Sequence, residues 1–326
     1  MSTSYASSEP PDMNHDSHIY SLSFGELASL FGTTESDVAA YCSDVMKEVD
    51  LRYRFFQKKE RDQIILQVIQ KIYSSELTKA GADRQPDWEQ GWRENLQELI
   101  ATGYNLECLI PKYFKRNVPA RLNLDYIMPI SPNFVFSYTH IYRTWLFKKY
   151  FSEVLNIYEF GCGPAYHLAY LADVYPEKRL FGLDWASASQ EIIRHLAEHF
   201  GWTIEGHRFD FFHPTPNLVL EKNSGVLTFG ALEQVGERHG PFLDFLLQNR
   251  PSICVNVECL HEFYEPDDLL SYLALQYHTK RNYLFGYLTA LQRLEQENRI
   301  EIIACHHHRF GNIFDDPLSY VIWRPR

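Results

Sequence analysis

The apolar run Ile157-Tyr158-Glu159-Phe160 ends in Gly161-Cys162-Gly163-Pro164-Ala165, and a second run, Leu180-Phe181-Gly182-Leu183, ends in Asp184-Trp185. The order is strand, glycine turn, helix, strand, acid. A strand that bends sharply into a helix needs residues without a β-carbon where the chain turns and where a ligand lies against the backbone. Gly161 and Gly163 meet both needs. The helix expected from about Tyr166 to Val174 would aim its first N–H groups at that ligand. Asp184, at the end of the second strand, stands where an acid accepts two hydroxyl hydrogens from a ribose. A nucleoside-containing cofactor is the expectation.

The same residues resemble the first motif of the class I S-adenosylmethionine-dependent methyltransferases, which is an acid, one residue, then Gly-x-Gly-x-Gly. Glu159, Gly161, Cys162, Gly163, Pro164 and Ala165 follow it, with Ala165 in place of the third glycine. The resemblance covers about residues 150 to 326. It implies S-adenosylmethionine as cofactor, with Glu159 near the methionine end, Gly161 to Gly163 under the nucleoside and Asp184 on the ribose. It also implies Trp185 packed on the adenine, Asp210 facing the adenine amino group with Phe211 beside it, and Gly230 in a turn lining the path to the acceptor. A Gly-x-Gly after a strand equally suits an ordinary turn, and Trp185 and Phe211 equally suit a core. Cys162 reads as a small loop filler, because no neighbouring base marks its thiol for activation.

Two other readings stay open. A dinucleotide fingerprint would place glycine at position 166, where Tyr166 stands, which weighs against an NAD(P)-dependent oxidoreductase. A non-catalytic binding or scaffold protein on the same fold would be favoured by an occluded glycine turn.

A chain of 326 residues suffices for one large domain or two ordinary ones. The net charge of -11 argues against nucleic acid as a partner, and Lys58, Lys59 and Arg61 read as a solvated helix face. Cys42, Cys108, Cys162, Cys254, Cys259 and Cys305 have no metal or framework spacing and read as reduced thiols. Residues 1–18 lack the basic start and apolar core of a signal peptide, and no apolar run approaches about eighteen residues. A cytoplasmic protein without a membrane partner is expected. A small-molecule acceptor and a second copy of the chain are the candidate partners.

The expected organisation is a disordered tail over 1–18, a mostly helical N-terminal domain and connector over 19–150, and a cofactor domain over 151–326. In the first half Thr34 is set to cap a helix whose apolar face is Val38, Tyr41, Cys42, Val45, Met46 and Val49. Helices are expected near 60–75, 87–101 and 138–151, with an extended, proline-interrupted connector over 110–133. The second half alternates strands near 155–160, 179–184, 203–209, 225–230, 252–258, 300–306 and 318–324 with helices. That is an α/β, Rossmann-like, mainly parallel seven-stranded sheet with an antiparallel last strand. Helices near 266–278 and 281–297 exceed what the minimal fold needs, and the extra one suits a lid over the carboxyl ends of the strands.

Methyl transfer asks the protein to align a nucleophile and exclude water, and a hydroxyl acceptor also benefits from a base. His261 is the first candidate base, with Glu233 and Glu262 as orienting or hydroxyl-binding carboxylates and Glu258 nearby; a structural histidine and carboxylates of a solvated loop are the alternative reading. His278, Arg281, Tyr138, His140, Tyr142 and Arg143 are candidates for the pocket roof, with Arg143 a candidate for the cofactor carboxylate, but ordinary helix packing is the first account of all six. His306-His307-His308 and Asp315-Asp316 invite a metal reading, but strand alternation leaves at most two imidazoles on one face, so no metal is expected. The function these residues imply is O-methylation of a hydroxylated, sugar-like or natural-product small molecule.

Overall fold

The computed structural model describes residues 18–326 apart from Tyr113, Lys115 and Pro216, so the tail expected over 1–18 lies outside the described residues except for His18. The chain begins with β1 (Tyr20–Ser21), α1 (Phe24–Phe31) and α2 (Glu35–Lys47), then β2 (Arg52–Phe55), α3 (Lys58–Ile72) and α4 (Gln85–Ala101). It continues through β3 (Ala120–Leu122), β4 (Asp125–Pro129), α5 (Phe134–Tyr150), β5 (Asn156–Phe160), α6 (Tyr166–Val174), β6 (Arg179–Asp184), α7 (Ser187–Phe200) and β7 (Ile204–Arg208). The last part is β8 (Ser224–Phe229), α8 (Gly240–Asn249), β9 (Ile253–Val257), α9 (Leu269–Arg281), α10 (Tyr287–Gln296), β10 (Ile300–His306), β11 (Phe310–Gly311) and β12 (Tyr320–Pro325).

Seven strands form the main sheet in the order β10-β12-β9-β8-β5-β6-β7. β5 pairs parallel with β6 and β8, β6 with β7, and β8 with β9, while β12 runs antiparallel to both β9 and β10. Numbered within the sheet this is 3-2-1-4-5-7-6, which departs from the dinucleotide-binding order by the insertion of a reversed strand. Successive residues of a strand point to opposite faces. Accordingly Ile157, Leu180 and Val255 join one apolar core with α1, α2, α5, α6 and α7, while Tyr158, Phe181 and Cys254 join another with α8 and α10. Both faces are covered, as the near-continuous apolar strands require.

The first core runs without a break from Leu27 and Phe31 through Trp145 to Leu168, Ile192 and Val255, so the N-terminal helices pack directly on the sheet. Thr34 accepts the Asp37 N–H and starts α2, while the Asp37 carboxylate accepts Trp145 Nε1–H at 2.8 Å and Lys149 Nζ at 2.7 Å, clamping α2 to α5. The sequence pattern predicts helices and a connector in this half; the structure adds α1 and a five-stranded antiparallel sheet, β1-β2-β4-β3-β11. α1 carries its own signal, a capping box between Ser23 and Glu26 and a left-handed Gly32 at its end. The small sheet carries almost none. Its strands are two to five residues long, and its last member comes from the far end of the chain. Within the connector expected over 110–133, residues 120–129 form the β3–β4 hairpin, turned through Asn123 and Leu124 at positive φ.

α9 lies thirteen residues long at 269–281 rather than 266–278 and packs with Val68 and Ile72 of α3 and Tyr126 of β4. Among the described residues no helix is long and apolar enough to cross a membrane.

Candidate functional site

The turn after β5 is built as its glycines suggest. Gly161 and Gly163 have φ of 71° and 52°, and Ala165 also sits in the left-handed region at 63°. The position where the family motif carries its third glycine therefore does need left-handed backbone, and alanine tolerates it at a cost. Gly161 and Cys162 N–H both donate to the Leu183 carbonyl, at 2.7 and 3.1 Å, which ties the turn to β6. A β-carbon on Gly161 would collide with the Ala231 side chain, and one on Gly163 would lie 2.9 Å from Trp92.

Asp184 is 6% exposed. Its Oδ2 accepts the Gly163 N–H at 3.0 Å and its Oδ1 the Ala186 N–H at 2.8 Å. Burial outweighs those donors and pushes its pKa up to about 6. The acid expected to meet a ribose thus also braces the glycine turn.

Glu159 is buried beside it. Leu168 N–H of α6 approaches one side of its carboxyl, Oε2 has no partner, and burial followed by the charge of Asp184 holds the group well above the usual carboxylate range. Arg143 of α5 is 7% exposed, its guanidinium 4.3 Å from the ring centres of both Tyr166 and Tyr170. Its hydrogen bonds go to His140 Nδ1 and the Tyr166 carbonyl, and among the described residues none goes to a carboxylate. Burial, then the neighbouring Arg143, lowers the His140 imidazole to about 4, so His140 accepts from Arg143 and does not repel it.

Around the turn stand aromatic side chains. Phe211 is 3.5 Å from the β-carbon position of Gly161, and the half-buried Trp185 lies 6.3 Å from Phe212 by ring centres. Asp210 is half-exposed; Oδ1 accepts the Phe212 N–H and Oδ2 meets His213 Nδ1 at 3.1 Å, so the acid shapes its own turn. Cys162 is buried and its thiol pKa is raised by burial, in keeping with a loop filler. Gly230, at φ 63°, faces open space and is exposed. The sequence reading missed the stacked Trp88 and Trp92 of α4, whose spacing of four along one helix face was the available signal. Glu89 of the same helix accepts the Ser187 N–H at 2.6 Å and holds α4 on α7.

The reversed β12 starts where the parallel strands end, so the residues before it meet the turns after β8, β9 and β10 at one edge. Glu258 lies there fully buried, accepting the N–H groups of Ala231, Leu232 and Glu233 at 3.1 to 3.3 Å, with its pKa pushed up to about 7 by burial. Glu233 accepts from Gln234 at 2.9 Å and faces Cys259 Sγ at 3.8 Å. Burial, then the charge of Glu258, pushes its carboxyl up to about 8. Glu262 does not hydrogen-bond His261. It accepts the Thr289 N–H at 3.1 Å at the start of α10. The half-buried His261 instead has its ring centre 6.2 Å from His278 and 4.8 Å from Phe285, and burial lowers its pKa.

His278 is the member of this group with an orienting acid. Its Nε2 is 2.9 Å from Asp315 Oδ2, both side chains are no more than 2% exposed, and its Nδ1 has no partner. A carboxylate acceptor at Nε2 fixes the proton there, which leaves the Nδ1 lone pair free in the neutral ring. Arg281, one turn on, donates to Tyr283 O–H at 2.8 Å, and its Nε is buried without a partner. Arg121 of β3 is 3.3 Å from Asp316 without the alignment of a hydrogen bond, and donates to the Phe314 carbonyl at 3.0 Å. Neither Asp315 as an orienting acid nor Arg121 was legible; Arg121 stands alone in a three-residue strand. The three adjacent histidines part company: His306 meets the Leu30 carbonyl, His307 stacks on Phe263, and His308 bonds Tyr138 O–H. Among the described residues no three ligating side chains are grouped to hold a metal.

Glu233 allows a test of this burial. Its folded-state pKa lies above that of a free carboxyl, so the folded protein holds a proton there that the unfolded chain has lost, and stability falls as pH rises between about 4.5 and about 8. Glu233→Gln is expected to flatten that decline in a plot of Tm against pH; an unchanged slope would place the carboxyl in water.

No family model and no curated protein matches the chain. Solved structures do. The O-methyltransferase NcsB1 of neocarzinostatin biosynthesis, in complex with S-adenosylmethionine and 2-hydroxy-5-methyl naphthoic acid, is 14% identical, covering 74% of this chain and 70% of that one at a TM-score of 0.40. An O-methyltransferase family 2 protein of Planctomyces limnophilus, in complex with apigenin, is 10% identical over 81% and 65% at 0.39. The [4+2]-cyclase SpnF is 11% identical over 56% and 78% at 0.41. At such identities and TM-scores the likeness decides neither activity nor ligand.

Proposed function

We propose that the protein is an S-adenosylmethionine-dependent methyltransferase that methylates a hydroxyl of a small molecule. One observation carries the reading. Beside the glycine turn, Glu159 has an unpartnered buried oxygen and Arg143 a buried charge with no carboxylate bonded to it, which are the complements of an α-amino and an α-carboxylate group. An isolated buried charge is costly, so a zwitterionic amino-acid moiety would satisfy both at once. Asp184 and the aromatic rings of Trp185 and Phe211 would hold the nucleoside, with Asp210 at its rim.

S-adenosylmethionine supplies an electrophilic methyl group when bound. The chain's own task is to exclude water and to accept the hydroxyl proton. His278, oriented by Asp315, is the proton acceptor in this reading, with His261 beside it and Glu233 within electrostatic reach of Asp315. A second reading, a binding protein on the same fold without turnover, is favoured by Trp92 lying against Gly163 and by the backbone bonds that engage both Asp184 oxygens.

Calorimetric titration with S-adenosylmethionine, S-adenosylhomocysteine and NADH tests the proposal. The first two are expected to bind, and Arg143→Met to weaken both by roughly ten- to a hundredfold, the worth of a charged hydrogen-bonded contact. Binding of NADH alone, or an Arg143→Met affinity equal to wild type, would sink it. Loss of all binding that returns on Trp92→Ala would support the second reading.

A further inference from the structure

His278 and Arg281 are three residues apart in the last turn of α9, so their side chains share one face about 5–6 Å apart at Cβ. Each ends in a buried nitrogen with no partner: a lone pair on His278 Nδ1, an N–H on Arg281 Nε. Arg121 Nε and His307 Nε2 add two more such atoms around the same acids, Asp315 and Asp316. Buried polar atoms are almost always paired, because each one left bare costs about 1–3 kcal/mol. Their concentration here calls for a ligand rich in oxygen.

The charges narrow its class. Asp315 is engaged by His278 and Asn312, and Asp316 by Arg121. Glu258 is spent on three backbone N–H groups, and burial followed by the charge of Glu258 pushes the Glu233 carboxyl toward its neutral form. Arg281 keeps a charge that no ion pair among the described residues meets, packed 4.8 Å from the Tyr283 ring centre. Tyr264 lies 5.2 Å from the His278 ring and supplies an apolar wall.

We propose that this end of α9 is the acceptor subsite and takes a hydroxylated carboxylate, the carboxylate on Arg281 and the hydroxyl on His278 Nδ1. The hydroxyl's role as methyl acceptor rests on the methyltransferase reading; the binding of the acid does not. Glu233, three residues beyond the exposed Gly230 that follows β8, lies within electrostatic reach of Asp315 and Arg281.

Salicylate and glucuronate serve as probes, an aromatic and a sugar acid, with salicylamide and glucose as their uncharged counterparts, titrated into the full chain without cofactor. One acid or both should bind at least about tenfold more tightly than its neutral partner, and Arg281→Gln should erase that preference while Arg281→Lys keeps part of it. Which acid binds separates an aromatic from a sugar acceptor. Equal binding of acid and neutral probe, a preference that survives Arg281→Gln, or no binding of any probe would overturn the proposal. S-adenosylmethionine titrated into the same preparations reports separately on the methyltransferase reading, so either can fail alone.

Discussion

Replacing His278 by alanine is expected to lower kcat about 10²- to 10⁴-fold with little change in KM, the usual worth of a positioned proton acceptor. The measure is transfer of labelled methyl from S-adenosylmethionine to an acceptor found among hydroxylated acids. The expectation rests on geometry. Asp315 accepts from Nε2 at 2.9 Å, which orients the ring and leaves Nδ1 as its basic atom. Asp315→Asn should therefore approach the same loss without removing the imidazole, because an amide can donate to Nε2 and so favours the tautomer with its proton on Nδ1. Added imidazole should restore part of the rate to His278→Ala and none to Asp315→Asn. A structural role alone would show no such rescue. Full activity in His278→Ala together with loss in His261→Ala would move the base to His261.

The second large effect is on stability. Gly161→Ala is expected to cost about 2–5 kcal/mol, from roughly 1–2 kcal/mol for a left-handed non-glycine residue and roughly 1–3 kcal/mol for forcing a methyl into filled space. The backbone there is at φ 71°, and the added methyl meets Ala231. The same change at Gly91, inside α4 with nothing within 4 Å, should instead stabilise by about 0.5–1 kcal/mol. Urea unfolding of the two variants gives opposite signs if the turn is as tight as described. Matching signs would mean that Gly161 has room to move.

Much of the main sheet could be read along the chain, because a buried parallel strand must be apolar throughout and a glycine turn must interrupt it. β6 and β10 lie where the pattern puts them, at 179–184 and 300–306, and the other five fall within two residues of it. The Thr34 cap and the inward residues Val38 and Cys42 were equally local and equally legible. The small sheet was not, since β1 and β11 are two residues each and gain their register only from partners far along the chain.

The candidate site divides in the same way. Gly161, Gly163 and Gly230 announce themselves because left-handed backbone restricts what residue can stand there, and Asp184 because it is the acid that ends the next apolar strand; both are properties of neighbours in sequence. Arg143 and Glu159 stand sixteen residues apart, and His278 and Asp315 thirty-seven apart. Nothing local relates either pair. Charge and hydrogen-bond complementarity act through space and at short range, so only the packing of α5 beside β5, and of α9 against the approach to β12, decided which polar groups would be bonded, which would stay bare, and therefore where a ligand is wanted. Likewise Glu262 lies next to His261 in the chain and yet caps α10, because adjacent side chains diverge while a helix start in contact offers N–H groups that must be met. The sequence by itself determined the doubly covered sheet and its glycine turn; tertiary structure alone brought Asp315 to His278 and left Arg281 beside them without an ion pair among the described residues.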